Sequence, residues 1–238
     1  MFNVKNLITI STGCRCIDKN LNGGISPDSV SLIYGEPETG KTTLAMQCAV
    51  SCGQQNLKTL FIDCDNTFST KRLSQLSGEK FDQIAEQIIL IKPKDFKEQI
   101  AVIDLIQDYI AKNFGLVVID TLTSLYGVKV AEASGKAFSL NRELNRQLAI
   151  LAQIVKIRKI PVILTSQVRS VFSEDNGSVR PVATRVLKFW ADNIISLKPT
   201  IYPRSIEAII EKSRENIQNA ACYVQILENG IVDAEFQG

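Results

Sequence analysis

Histidine is absent from this chain of 238 residues, tryptophan occurs once and methionine twice. Long apolar runs are missing too: none approaches the roughly 20 residues that a membrane-spanning helix needs. The N-terminus, Met1-Phe2-Asn3-Val4-Lys5-Asn6, leads into a Thr/Ser/Gly segment with neither an apolar signal core nor a small-residue cleavage site. A cytoplasmic protein without membrane contact is therefore expected. Excess charge of one sign is also lacking: 27 basic residues stand against 25 acidic ones, a formal charge of +2. Nucleic-acid binding cannot be read from so small a balance, and any DNA site must be a local patch. Internal repeats and low-complexity tracts are missing, and the seven prolines are scattered rather than gathered into a linker. One domain over residues 1–238 is expected, and with 45% hydrophobic and 22% charged residues it has the composition of a globular protein with a full-sized core.

Six cysteines are present: Cys14, Cys16, Cys48, Cys52, Cys64 and Cys222. Without histidine, and with Cys-x-Cys and Cys-x3-Cys spacings, they match no paired zinc ribbon. Cys48 and Cys52 fall four apart on a predicted helix, where a thiol packs as a small hydrophobe. Reduced, inert thiols are the expectation.

Short apolar runs rich in branched residues recur at Val30–Tyr34, Thr59–Ile62, Ile88–Ile91, Leu116–Ile119, Val162–Thr165 and Ile194–Leu197, and read as buried strands. Between them, Lys41–Gly53, Asp95–Asn113 and Ala137–Lys159 carry helical spacing. In the last, Leu140, Leu144, Leu148, Leu151 and Val155 form one apolar stripe. Such alternation predicts an α/β fold, a mostly parallel twisted sheet with helices on both faces. After Ile194 the runs Ile206–Ile210, Cys222–Leu227 and Ile231–Val232, with turns such as Asn229-Gly230, predict a C-terminal antiparallel β extension.

The segment Gly35-Glu36-Pro37-Glu38-Thr39-Gly40-Lys41-Thr42 follows the first strand and opens the first long helix, the context in which a Gly-x4-Gly-Lys-Thr loop binds phosphate. Its glycines let successive N–H groups turn inward, and the helix N-terminus adds positive potential. Lys41 is expected to reach the β- and γ-phosphates of ATP, Thr42 to place its hydroxyl on Mg²⁺, and Thr43 to complete the cradle. Leu116-Val117-Val118-Ile119-Asp120 is an apolar strand ending in an acid, the form expected of a ligand to magnesium-bound water, so Asp120 is the second metal candidate. Aspartate at a strand end also suits a plain turn.

Together these residues resemble the RecA-like recombinase superfamily of P-loop ATPases, and within it the archaeal RadB family of short RadA paralogues. The resemblance runs from Ser11 to Asp233. It is carried by Ser11-Thr12-Gly13-Cys14, Leu21-Asn22-Gly23-Gly24-Ile25, the phosphate loop, Phe61-Ile62-Asp63-Cys64-Asp65-Asn66-Thr67-Phe68, Asp95-Phe96-Lys97-Glu98-Gln99, the strand ending at Asp120, Leu164-Thr165-Ser166-Gln167-Val168, and Arg180-Pro181 leading to Trp190-Ala191-Asp192-Asn193-Ile194-Ile195. Only the phosphate loop is specific alone; the order and spacing of the set carry the likeness.

The resemblance implies a water-positioning acid two residues beyond the second strand's aspartate. The superfamily has glutamate there and this chain has Asp65, one methylene shorter, which implies slow hydrolysis; a turn residue is the alternative reading. It implies a γ-phosphate sensor in Gln167, whose amide can both donate and accept, and stacking of Arg72 on adenine, although an exposed helix arginine would look the same. Two loops, roughly Tyr126–Ala137 and Val168–Ala183, would face single-stranded DNA through Lys129, Lys136, Arg169, Phe172 and Arg180. Glu132, Glu174 and Asp175 dilute that patch. The superfamily's N-terminal helical DNA-binding domain and linker are expected to have no counterpart before Ser11. The expectation is a DNA repair and homologous recombination accessory protein: a weak ATPase that binds single-stranded DNA, modulates a RadA-like recombinase and has the capacity for self-association. A nucleotide-gated interaction switch and a KaiC-like signalling ATPase are the alternatives.

Overall fold

A computed structural model of the protein describes residues 9–110, 112–133, 135–167, 182–214 and 219–234. Among the described residues, nine strands form one sheet: β1 (Val30–Gly35), β2 (Lys58–Asp63), β3 (Ile88–Ile91), β4 (Phe114–Asp120), β5 (Val162–Gln167), β6 (Asn193–Pro199), β7 (Ser205–Lys212), β8 (Ala220–Leu227) and β9 (Gly230–Asp233). Their order is β3-β2-β4-β5-β1-β6-β7-β8-β9. Pairings from β3 to β6 are parallel and those from β6 to β9 antiparallel, as the apolar runs and the Asn229-Gly230 turn predict.

Alternate residues of each central strand feed opposite layers. Ile33, Phe61, Val118 and Ile163 pack beneath α1 (Arg15–Asn20), α2 (Lys41–Gln54), α3 (Thr70–Ser77) and α4 (Phe81–Ala85). Leu32, Leu60, Val117 and Leu164 face α5 (Phe96–Asp104), α6 (Ile106–Tyr109), α7 (Ser124–Glu132), α8 (Ala137–Arg158) and α9 (Val182–Trp190). Leu144, Leu148, Leu151 and Val155 of α8 are buried, and Leu140 packs partly buried against them. The one polar side chain in that stripe, Gln147, accepts a hydrogen bond from Gln99 Nε2 of α5 at 2.9 Å.

Two expectations are corrected. The helical spacing over Asp95–Asn113 is not one helix: α5 stops at Leu105 (φ −93°, ψ 5°), and α6 ends where Ile110 becomes extended. Asp95 caps α5 by accepting from Glu98 N–H at 2.8 Å. Nor are all the thiols reduced. Cys16 of α1 and Cys222 of β8 form a disulfide with a Cα–Cα distance of 6.2 Å, joining segments 206 positions apart that the fold brings together. Cys14, Cys48, Cys52 and Cys64 are free and buried, and burial pushes the Cys14 thiol up to about 12 and that of Cys52 to about 11.

Candidate functional site

The C-terminal ends of β1, β2, β4 and β5 converge on one edge, where ligands of open α/β sheets bind. Register brings the relevant ends level: Gly35 is paired with Gln167 across β1 and β5, and Asp63 with Asp120 across β2 and β4. The loop from Gly35 to Gly40 needs residues that accept unusual backbone. Glu38 has φ 64° and Gly40 φ 88°, and Gly40 caps α2 with no side-chain hydrogen bond to the helix N–H groups. Thr39 donates from Oγ1 to the Glu36 carbonyl at 2.8 Å, closing the loop on itself.

Lys41 is buried, and its Nζ donates to the Glu36 carbonyl at 2.5 Å. Burial pushes its ammonium below the usual lysine range, and the charges of Asp120, Asp65 and Glu36 oppose that shift. The positive end of Lys41 is thus held inside the loop among carboxylates, within reach of anything the loop cradles.

Asp120 is fully buried, and burial raises its carboxyl above the usual aspartate range. Hydroxyls of Thr165, Thr42 and Thr67 lie beside it and oppose that rise. The Thr165 Oγ1 bond goes to Oδ1, and the Thr67 Oγ1 bond goes to Oδ2 at 3.2 Å. The peptide between Asp120 and Thr121 is cis. The fold thus brings the Thr42 hydroxyl near the Asp120 carboxyl. This all-oxygen donor set suits a hard divalent cation.

Asp65 is half-buried on the turn after β2, and Gln167 is exposed at the end of β5. Arg72 lies on α3, where its Nη1 donates to the Glu228 carbonyl at 2.7 Å and to Gln75 Oε1 at 3.3 Å. It lines a cavity of about 760 Å³ together with Glu36, Pro37, Glu38 and Thr39 of the loop, Thr43 of α2 and Tyr202 of the β6–β7 turn. That places Arg72 beside the loop, across a space wide enough for a nucleoside. The β6–β7 and β8–β9 turns as further walls escape a sequence reading, because only the antiparallel pairing beyond β6 brings them here. Thr67 and Thr165 escape it for a similar reason: their hydroxyls meet Asp120 across strands.

The candidate DNA residues are less assembled. Lys129 on α7 pairs with Glu132 at 3.1 Å, and Lys136 is exposed just before α8. The segment expected as a loop over Tyr126–Ala137 is largely α7, with Tyr126 buried. Arg169, Phe172 and Arg180 lie outside the described residues. Lys188, beyond that segment on α9, is engaged by Tyr34 at 2.8 Å and Glu211 at 2.7 Å.

The Rad51 family model matches residues 3–234. A DNA repair and recombination protein RadB of Thermococcus kodakarensis is 34% identical over 229 residues, 95% of this chain and 100% of the relative. The protein of that name from Methanobrevibacter smithii is 31% identical over 91% of this chain and 92% of its own length. A crystal structure of the RadB recombinase covers 95% of this chain and 100% of its own with a TM-score of 0.81 at 33% identity. With its mostly parallel sheet, antiparallel extension and RecA-like fold, the chain belongs to the Rad51 family, among the RadB proteins of DNA repair and recombination.

Proposed function

We propose that the chain binds ATP with Mg²⁺ at the loop Gly35–Thr42, hydrolyses it slowly, and serves DNA repair and recombination by binding single-stranded DNA and modulating a RadA-like recombinase. The observation that carries this reading is the buried Asp120 at the end of β4, which interacts with Lys41 and with the Thr42 hydroxyl and so links the loop to the second strand-end acid. Loop N–H groups and Lys41 would hold the β- and γ-phosphates, and Arg72 would stack on the base. Thr42 directly, and Asp120 through metal-bound water, would hold magnesium, which when bound neutralises phosphate charge. Asp65 would orient the attacking water, and Gln167 would report the γ-phosphate to the segment that follows β5. Lys129 and Lys136 would contribute phosphate contacts to DNA, with Arg169, Phe172 and Arg180 expected beside them.

The test is hydrolysis and binding in the same preparation. Lys41→Ala is expected to abolish ATP turnover, and the unmodified chain to retain single-stranded DNA and a RadA-like recombinase at low salt. A chain that hydrolyses ATP through Lys41 yet binds neither partner would refute the accessory role. The pairing of Gly35 with Gln167 favours a second reading, a switch in which ATP binding alone, sensed through Gln167, gates the binding of a partner. Equal partner binding with ATP and a non-hydrolysable analogue, and weaker binding with ADP, would select it.

A further inference from the structure

Asp63 has no part in the chemistry outlined above, yet it closes β2, is fully buried and is tightly engaged. Its Oδ1 accepts from Thr67 N–H at 3.0 Å and its Oδ2 from Phe68 N–H at 3.0 Å. Lys92, directly after β3, brings Nζ within 3.2 Å of Oδ2. These bonds bend residues 64–68 back on the end of their own strand, with Asn66 in the left-handed region at φ 56°. The turn so formed carries Asp65. It has a second anchorage, because Cys64 N–H donates to the Asp120 carbonyl at 2.6 Å and Thr67 Oγ1 donates to Asp120 Oδ2 at 3.2 Å. Thr67 thus holds Asp63 with its backbone and Asp120 with its side chain.

We propose that Asp63 and Thr67 are positioning residues, which fix Asp65 relative to Asp120 so that the water acid and the magnesium acid keep one geometry; this rests on the reading of Asp65 given above. The physical demand is strict. A proton acceptor works only within about 3 Å of its water, and a displacement of about 1 Å can cost on the order of a hundredfold in rate. A five-residue turn on an exposed edge does not hold such a tolerance unaided. Asp63 supplies two acceptors spaced for adjacent N–H groups, and an asparagine there offers only one, setting an N–H₂ against a backbone donor.

The experiment measures kcat, KM for ATP, affinity for a fluorescent ATP analogue and Tm. The variants are Asp63→Asn, Thr67→Val and Thr67→Ser, each alone and combined with Asp65→Asn. Asp63→Asn and Thr67→Val are each expected to lower kcat about tenfold with little change in analogue affinity. Neither should lower it further once Asp65→Asn is present, and Thr67→Ser, which keeps the hydroxyl, should restore the rate. Thr67 is exposed, so its variants stay informative even where Asp63→Asn unfolds the chain. Equal losses with and without Asp65→Asn would mark the effect as general destabilisation and overturn the proposal. So would unchanged kcat in Thr67→Val. Hydrolysis that depends on Lys41 but ignores Asp65→Asn would instead bring down the reading of Asp65, and this proposal with it.

Discussion

Gly35 sits with its α-carbon against the backbone carbonyl of Leu197, so that a Cβ there would run into that oxygen and approach Thr39 Oγ1 to 2.9 Å. Close packing of β1 on β6 brings the phosphate loop out of the sheet at this point. Gly35→Ala should therefore separate the strands or reshape the loop, lowering ATP affinity by roughly tenfold or more where about 1.4 kcal/mol of loop strain is unrelieved. Equilibrium binding of a fluorescent ATP analogue, with Tm measured alongside, checks it.

Asp65→Glu restores the length of acid usual at this position in the superfamily. Asp65 is only half-buried, so the added methylene has room. The ATPase rate should rise by about tenfold, a fraction of what a well-placed proton acceptor contributes. An unchanged rate in a folded, ATP-binding variant would show that acid length does not limit turnover.

Burial raises the Asp120 carboxyl, so in the nucleotide-free protein it takes up a proton at higher pH than an exposed aspartate. The sign is definite on both counts. The metal-free fold gains from this group at low pH and loses that gain as pH rises through the raised value. On the proposed reading magnesium is held through the Asp120 carboxylate, so magnesium-dependent ATP affinity should weaken as pH falls through the same value. ATP binding titrated against pH with and without magnesium tests this, and Asp120→Asn should remove most of the difference.

Thiol counting gives a third kind of measurement. Cys14, Cys48, Cys52 and Cys64 are buried and free, and Cys16 is joined to Cys222. The folded protein should react slowly with a thiol reagent, because burial leaves almost no thiolate on Cys14 or Cys52. Denaturation without reductant should expose four reactive thiols, those of the four free cysteines, and six after reduction. Reduction should lower stability by about 2–4 kcal/mol, read as a shift in the denaturant midpoint.

Most of the candidate site was legible because each element announces itself locally. A strand, a glycine-bounded loop and a helix are contiguous from Val30 to Gln54, and Asp120 ends its own apolar run. What escaped depends on distant partners. Cys16 and Cys222 share no periodicity, and their pairing follows from α1 lying across β8. The break at Leu105 is hidden because Ile103, Ile106 and Ile110 continue an apolar pattern that suits either one bent segment or one straight helix. Thr165 and Thr67 look like ordinary strand and loop threonines until β2, β4 and β5 stand side by side.

The strand β9 has an implication for how the protein comes into being. Ile231 lies against the start of α2, near enough that a Cβ on Gly40 would meet its side chain at 2.7 Å. Gln47 of α2 clasps the Ile231 backbone through bonds of 2.7 and 3.0 Å. Arg72 likewise leans on the Glu228 carbonyl. A growing chain has made its phosphate loop by Thr43, yet the loop's helix lacks its seat and Arg72 its brace until β9 has left the ribosome. The segment that announces itself first in the sequence is among the last to be fully packed.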